Sequence, residues 1–314
     1  MILAALAVLA GFALLIYSAD RFVAGASAIA SHFGVSSLLI GVTVVGFGTS
    51  APEIFIALIA SLDDSPALAV GNAIGSNIAN IGLILGSTAL LTAIPIAREK
   101  VRDEVLMLLA ATVLACAVLI DGKLTMIDGV LLVIGFVVFV LWAIWQAKRQ
   151  PGDEGEELPD DMSTGKAWLT LLVAMAILIG SSRLLVWGAT TIATAIGVSE
   201  LIIGLTIVAI GSSLPELAAS IAAAKRGKSE MALGNVIGSN IFNTLAVLCV
   251  PALVAGAQLQ PAVLQRDLPV MVAFTAAMLY IVLRKNHLLS RLEGGLLVAA
   301  FAAYMIWLGL ASTA

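Results

Sequence analysis

Two glutamates, Glu53 and Glu216, stand inside otherwise apolar runs, each closing the same short motif: Gly48-Thr-Ser-Ala-Pro-Glu53 and Gly211-Ser-Ser-Leu-Pro-Glu216. An ionisable residue in such a run is costly, and its default explanation is function. Hydroxyls surround both, from Thr49, Ser50, Ser212 and Ser213. Further along come Ser76 and Asn80, then Ser239 and Asn243. Each of these pairs is four residues apart, so its members share one helix face. Carboxylates, hydroxyls and amide carbonyls are all oxygen donors, and no His or Cys stands near them. Hard cations such as Na⁺ and Ca²⁺ take such a set, whereas zinc and copper ask for nitrogen or sulfur. Proline removes a backbone donor and disturbs the carbonyl four residues back. Those carbonyls belong to Gly48 and Gly211, and with Gly46 they make the stretch easy to unwind. Carbonyls freed in this way are further oxygen ligands, tolerable in a membrane only where they line a cavity or are buried in protein.

The motifs belong to longer duplicated blocks. Gly41 to Glu53 returns as Gly204 to Glu216, and Gly71 to Asn80 returns as Gly234 to Asn243, at one constant offset. A lone Ser or Asn in a membrane helix is usually interhelical glue, and Gly71, Gly75, Gly234 and Gly238 read as sites of close helix approach. Two glutamates at equivalent places have no such bland account. Gly- and Pro-interrupted helices at matching positions of two halves point to a transporter's binding site.

The elements that position these residues are membrane helices. The chain is 61% hydrophobic and 11% charged, with mean hydropathy +1.10. Soluble domains carry about a quarter charged residues. Apolar runs of ~20 residues, enough to cross ~30 Å of hydrocarbon, fill nearly the whole sequence. They are continuous, which excludes the alternating pattern of barrel strands. Ten spans are expected, near 2–30, 36–60, 67–91, 102–120, 125–146, 167–195, 200–224, 229–254, 267–284 and 290–311. The first reads as a retained helix, since no basic residue precedes Arg21. The net charge of −4 says little about partners, and Cys116 and Cys249 read as buried thiols. Between the halves, Lys148 to Asp161 is polar and mostly acidic, a solvated linker. The division is a first repeat over 1–146, an acidic cytoplasmic linker over 147–166 and a second repeat over 167–314.

Lysines and arginines concentrate in the third, fifth, seventh and ninth gaps between spans, at Arg98, Lys100, Arg102, Lys148, Arg149, Lys166, Lys225, Arg226, Lys228, Arg284, Lys285 and Arg291. The positive-inside rule makes these gaps cytoplasmic and puts both termini outside. Five spans per half is an odd number, so the halves enter the membrane from opposite sides. The fold expected is an all-α integral membrane protein of two inverted five-helix repeats.

The paired blocks resemble the two alpha-repeats of the sodium/calcium exchanger family, in the cation/calcium antiporter superfamily, and most of all its small prokaryotic members. The resemblance covers both halves. It implies that Glu53 and Glu216 ligate Ca²⁺ with help from Thr49 and Ser212, and that Thr49, Ser50, Ser212 and Ser213 serve the Na⁺ sites. It further implies backbone carbonyl ligands at Gly46 and Ala209, with Ser76, Asn80, Ser239 and Asn243 completing the site. The first and sixth spans, with Gly25 and Gly188 at matching places, would slide as a pair across the rest. Archaeal relatives can carry Asp where this chain has Asn243, and potassium-dependent members favour it, which argues against a K⁺ requirement. Proton-coupled relatives use a different motif around the first carboxylate.

The activity this implies is exchange of Ca²⁺ for Na⁺ across the cell (inner) membrane, with Ca²⁺/H⁺ antiport as the alternative and a cation channel behind it. No cofactor is expected, the partners are the lipid bilayer and the two ions, and the expected unit is a monomer. An intramembrane enzyme built on Ser50 or Ser213 is disfavoured, because neither has a His or Lys beside it. Arg21 and Arg183, each inside a long span, are expected to snorkel or pair locally.

Overall fold

The structure is a computed structural model describing residues 1–149, 162–197, 207, 209–284 and 288–313. Residues 150–161 of the proposed linker therefore lie outside the described residues, as does most of the approach to the second motif.

The helices follow the apolar runs. They are α1 (Ile2–Phe33), α2 (Ser37–Leu62), α3 (Pro66–Leu91), α4 (Arg98–Leu119), α5 (Met126–Arg149), α6 (Thr164–Ala195), α7 (Leu214–Lys225), α8 (Ser229–Val254), α9 (Val263–Leu283) and α10 (Arg291–Thr313). A helical turn over Ala209–Ser212 precedes α7. Eight of these helices are long and apolar enough to cross a membrane by themselves. Helix α7 has only 12 described residues, and α4 opens on a run of charges that includes Arg98, Glu99, Lys100, Arg102 and Asp103. Wider, π-helical turns interrupt α2 at Gly41–Val45, α3 at Asn80–Leu85 and α8 at Asn243–Val247. Two of them begin at the equivalent asparagines Asn80 and Asn243. Such turns are frequent at functional sites.

The packing repeats the duplication. Helices α1 and α6 lie along each other. A Cβ on Gly25 would meet the Ala167 carbonyl and the Leu171 backbone, and one on Gly188 would meet the Ala4 carbonyl and Val8. Under the constant offset Ala4 becomes Ala167 and Val8 becomes Leu171, so each contact is the image of the other. Helix α8 is the most enclosed, with every residue from Met231 to Phe242 buried. It reaches α2 through its glycines: a Cβ on Gly238 would stand 2.1 Å from the Val42 carbonyl, and one on Gly234 would stand 2.3 Å from the Leu38 carbonyl.

Two small antiparallel strand pairs tie loops together: β1 (Ile94–Pro95) with β4 (Leu288–Leu289), and β2 (Lys123–Leu124) with β3 (Ala257–Gln258). The first joins the third and ninth gaps, the second the fourth and eighth. Gaps of the same parity meet, as chains crossing back and forth require.

The two long-span arginines differ. Arg21 lies over the Tyr17 ring, 5.5 Å from its centroid, a local pairing of the kind expected. Its neighbour Asp20 instead pairs with Arg226.

Candidate cation-binding site

The motif glutamates meet in the centre of the bundle. Helix α2 supplies Thr49, Ser50 and Glu53, and α7 supplies Glu216; all four are at most 2% exposed. The two carboxylates are near enough to repel each other, and Thr49 lies against that of Glu216.

The backbones carrying them are not alike. Pro52 sits inside a helix that continues unbroken from Gly46 to Leu62, so the unwinding expected before Pro52 is absent here. One missing N–H costs a single hydrogen bond, and proline's φ already suits a helix. Close packing holds the line: Gly46 rests on Gly238 and Ser239, and Gly48 on Phe22 and Met175. In the second half the helix does break. Ser213 caps α7 with φ −92° and ψ 6°, Pro215 falls in the first turn where its missing donor costs nothing, and Glu216 follows.

Helices α3 and α8 close the site. Ser76, Asn80, Ser239 and Asn243 are all buried, as is Ser213, while Ser212 is half-buried. Thr49 Oγ1 lies 3.1 Å from the Val45 carbonyl, 3.2 Å from Asn235 Oδ1 and 3.3 Å from Ser239 Oγ. Asn235 Nδ2 donates to the Glu216 carbonyl at 3.1 Å and to Ser220 Oγ at 2.8 Å. Asn80 Nδ2 donates to Asn240 Oδ1 at 2.9 Å, and Asn77 Nδ2 to Thr244 Oγ1 at 2.8 Å. The Gly46 carbonyl accepts a long contact from Thr49, at 3.4 Å. Ala209 opens the turn before Ser213, and its side chain lies outside the described set.

Asn77, Asn235, Asn240, Thr244 and Ser220 are missing from the residues singled out by sequence. Four of them had a signal. Asn77 and Asn240 stand three residues before Asn80 and Asn243, and Asn235 eight before Asn243, all on the polar face; Thr244 adjoins Asn243. Ser220 is one turn beyond Glu216 and carried no signal beyond that spacing.

The donor set fits a hard cation. Among the described residues, the buried oxygens Ser50 Oγ, Glu53 Oε2, Asn77 Oδ1, Asn80 Oδ1, Glu216 Oε2 and Asn243 Oδ1 have no hydrogen-bond partner. A buried acceptor left unsatisfied costs about 1–3 kcal/mol, more when charged. Buried oxygens left so are ones a metal ion would satisfy. A cavity of about 300 Å³ between α2, α6 and α7 reaches Ser212 and Gly211 and is otherwise lined by Pro52, Ile56, Ser182, Arg183 and apolar neighbours.

The sodium/calcium exchanger protein family profile matches residues 3–145 and again 166–310. The chain belongs to this family. Among solved structures, the sodium-calcium exchanger NCX_Mj soaked with Na⁺ and Ca²⁺ superposes with a TM-score of 0.84 at 35% identity, covering 98% of each chain. CaxA of Alkalimonas amylolytica is 45% identical over 97% of this chain and 98% of its own. The inner membrane protein YrbG of Escherichia coli K12 is 40% identical over 99% and 97%. Sodium/calcium exchanger MaX1 of Methanosarcina acetivorans is 29% identical over 96% and 97%. As a member of the exchanger family, the chain is a multi-pass membrane transporter and not an enzyme, and the family profile matches it twice.

Proposed function

We propose that this protein is a secondary active antiporter that exchanges Ca²⁺ for Na⁺ by alternating access at the site formed by Glu53, Glu216, Thr49, Ser50, Ser212, Ser213, Ser76, Asn80, Ser239 and Asn243, with carbonyls of Gly46 and Ala209. One observation carries the reading: each half buries a glutamate, and buried side-chain oxygens of both halves lack a hydrogen-bond partner. With both glutamates ionised, the empty site holds two negative charges, and sealing them from water costs several kcal/mol per ion. One Ca²⁺ or a set of Na⁺ ions removes that charge. The carrier therefore crosses readily only when loaded, which makes the exchange obligatory. If one net charge crosses per cycle, the membrane potential contributes about 2.3 kcal/mol per 100 mV.

The same reading puts the odd-numbered gaps in the cytoplasm and both termini outside, in an inner membrane like that of YrbG. It takes 1–146 and 167–314 as inverted repeats around a cytoplasmic linker, a monomer as the unit, and Asn243 as a mark of independence from K⁺.

The test is ⁴⁵Ca²⁺ uptake into proteoliposomes driven by a Na⁺ or a pH gradient, with Glu53→Gln and Glu216→Gln as controls. Uptake that needs internal Na⁺ and vanishes in both variants supports the proposal. Uptake driven only by the pH gradient replaces it with Ca²⁺/H⁺ antiport, which the mutual repulsion of the two carboxylates favours as the second reading. Ca²⁺ flux with no counter-ion on the far side contradicts antiport altogether.

A further inference from the structure

We propose that Asp20–Arg226 and Asp63–Arg183 are two latches, made in turn as α1 and α6 move against the rest of the bundle, each closing one side of the site. This rests on the alternating-access reading above.

The first latch is formed. Arg226, just beyond α7, grips Asp20 of α1 with two parallel hydrogen bonds of 2.6 Å, Nε to Oδ1 and Nη2 to Oδ2. Such a fork is the strongest geometry available to an arginine and a carboxylate. The offset that carries Glu53 onto Glu216 carries Asp20 onto Arg183, and Asp63 onto Arg226. The image of the α1–α7 pair is thus an α6–α2 pair, Arg183 with Asp63. Both residue types are exchanged, so the attraction survives. A substitution at one position alone would have placed like charges opposite each other.

The second latch is open. Asp63 is exposed just beyond α2, and among the described residues neither it nor Arg183 makes an ion pair. Helix α6 holds no Asp or Glu to pair with Arg183. An unpaired arginine within a membrane helix is expensive unless it faces water or finds a partner. Arg183 lines the 300 Å³ cavity beside Pro52, Ile56 and Ser212. Ile56 and Asp63 are seven residues apart, hence on one face of α2. Movement of α6 along that face would fill the cavity and carry Arg183 towards Asp63. The formed latch keeps a cavity of about 310 Å³ on the image residues Ile16, Ala19 and Asp20, while Phe22, two residues from Asp20, is fully buried against Gly48. Inverted-repeat carriers alternate by rocking one part against the other, so the contacts of one state predict those of the next by symmetry.

Cysteine pairs decide it. In a protein with Cys116→Ala and Cys249→Ala and a protease site between residues 150 and 161, a disulfide between the halves keeps the cleaved chain in one piece. Asp20→Cys with Arg226→Cys, and separately Asp63→Cys with Arg183→Cys, should each cross-link under mild oxidation. Each cross-link should lower ⁴⁵Ca²⁺ uptake by roughly tenfold or more, with recovery on reduction, because a locked carrier holds one state only. With all four cysteines present, a single molecule should form one bridge and not both. As a second measurement, Asp63→Arg combined with Arg183→Asp should recover uptake lost in either single variant. The latches are overturned if the reduced Asp63→Cys/Arg183→Cys protein exchanges Ca²⁺ yet never cross-links, or if both bridges form in one molecule, or if charge reversal rescues nothing. If the reduced proteins bind ⁴⁵Ca²⁺ and exchange it for no ion, alternating access itself fails.

Discussion

The side-chain carbonyl of Asn235 lies 3.2 Å from the hydroxyl of Thr49, while its amide reaches the Glu216 backbone at 3.1 Å. One fully buried carboxamide from α8 therefore joins the motif of the first repeat to that of the second. The first motif is thus held in part by the second half.

This position should be sensitive to substitution. Asn235→Ala removes three partners at once and leaves the Ser220 and Thr49 hydroxyls short of one, at about 1–3 kcal/mol for each group left unsatisfied. We expect a lower melting temperature in detergent and a loss of Ca²⁺ uptake of about tenfold or more, larger than the stability change alone would give, because Thr49 and Glu216 shift together. A melting curve and uptake matching the parent protein would show that Asn235 positions nothing.

Removal of ions should destabilise the parent protein, and removal of a charge should reverse that. Chelating Ca²⁺ and omitting Na⁺ leaves Glu53 and Glu216 facing each other. Ca²⁺ at a hundred times its dissociation constant should add about 2.7 kcal/mol of stability. Glu53→Gln and Glu216→Gln should each melt higher than the parent in ion-free buffer, yet gain little from Ca²⁺. Thermal melts with and without Ca²⁺ read both effects, and a Gln variant that keeps the full Ca²⁺ shift would exclude that glutamate as a ligand.

The glycine contacts separate rigid from yielding neighbours. A Cβ at Gly238 would come within 2.1 Å of the Val42 carbonyl, part of the α2 backbone. At Gly48 the nearest atom is Met175 Sδ at 2.9 Å, in a side chain that can turn aside. Gly238→Ala should therefore lower stability by about 1–3 kcal/mol or more, and Gly48→Ala by less. Equal melting temperatures for the two would contradict this account of α2–α8 packing.

Membrane sidedness is open to a direct check. In a background of Cys116→Ala and Cys249→Ala, Asp121→Cys lies in the fourth gap and Glu99→Cys borders the third. A membrane-impermeant maleimide added to intact spheroplasts should label the former and spare the latter until the cells are opened. The reverse pattern would turn the whole topology over.

Much of this was legible without coordinates. Nine of the ten helices lie within a few residues of the expected spans, because an apolar run of membrane length has few other folds open to it, while the start of the seventh lies outside the described residues. Glu53 and Glu216 stood out because burying a carboxylate is too costly to occur twice at matching places by chance. Less legible was the local backbone. The same motif stays helical at Pro52 and breaks at Ser213, and neighbours remote in sequence, Gly238 under Gly46 and Phe22 against Gly48, accompany that difference. Asn235, Asn240 and Thr244 stand on or beside the polar face of α8, but spacing along one helix does not name the partner on another.

By itself the sequence determined the membrane class, the two repeats, the oxygen-rich chemistry and the family, because these follow from composition, period and duplication, which are properties of a line of residues. Tertiary structure alone decided which oxygens stay unpartnered, that Asn235 bridges the repeats, and that Asp20 holds Arg226 while Arg183 and Asp63 stay apart. Those are relations among helices far apart along the chain. An inverted repeat offers two equivalent sets of such contacts, and only packing in three dimensions selects between them.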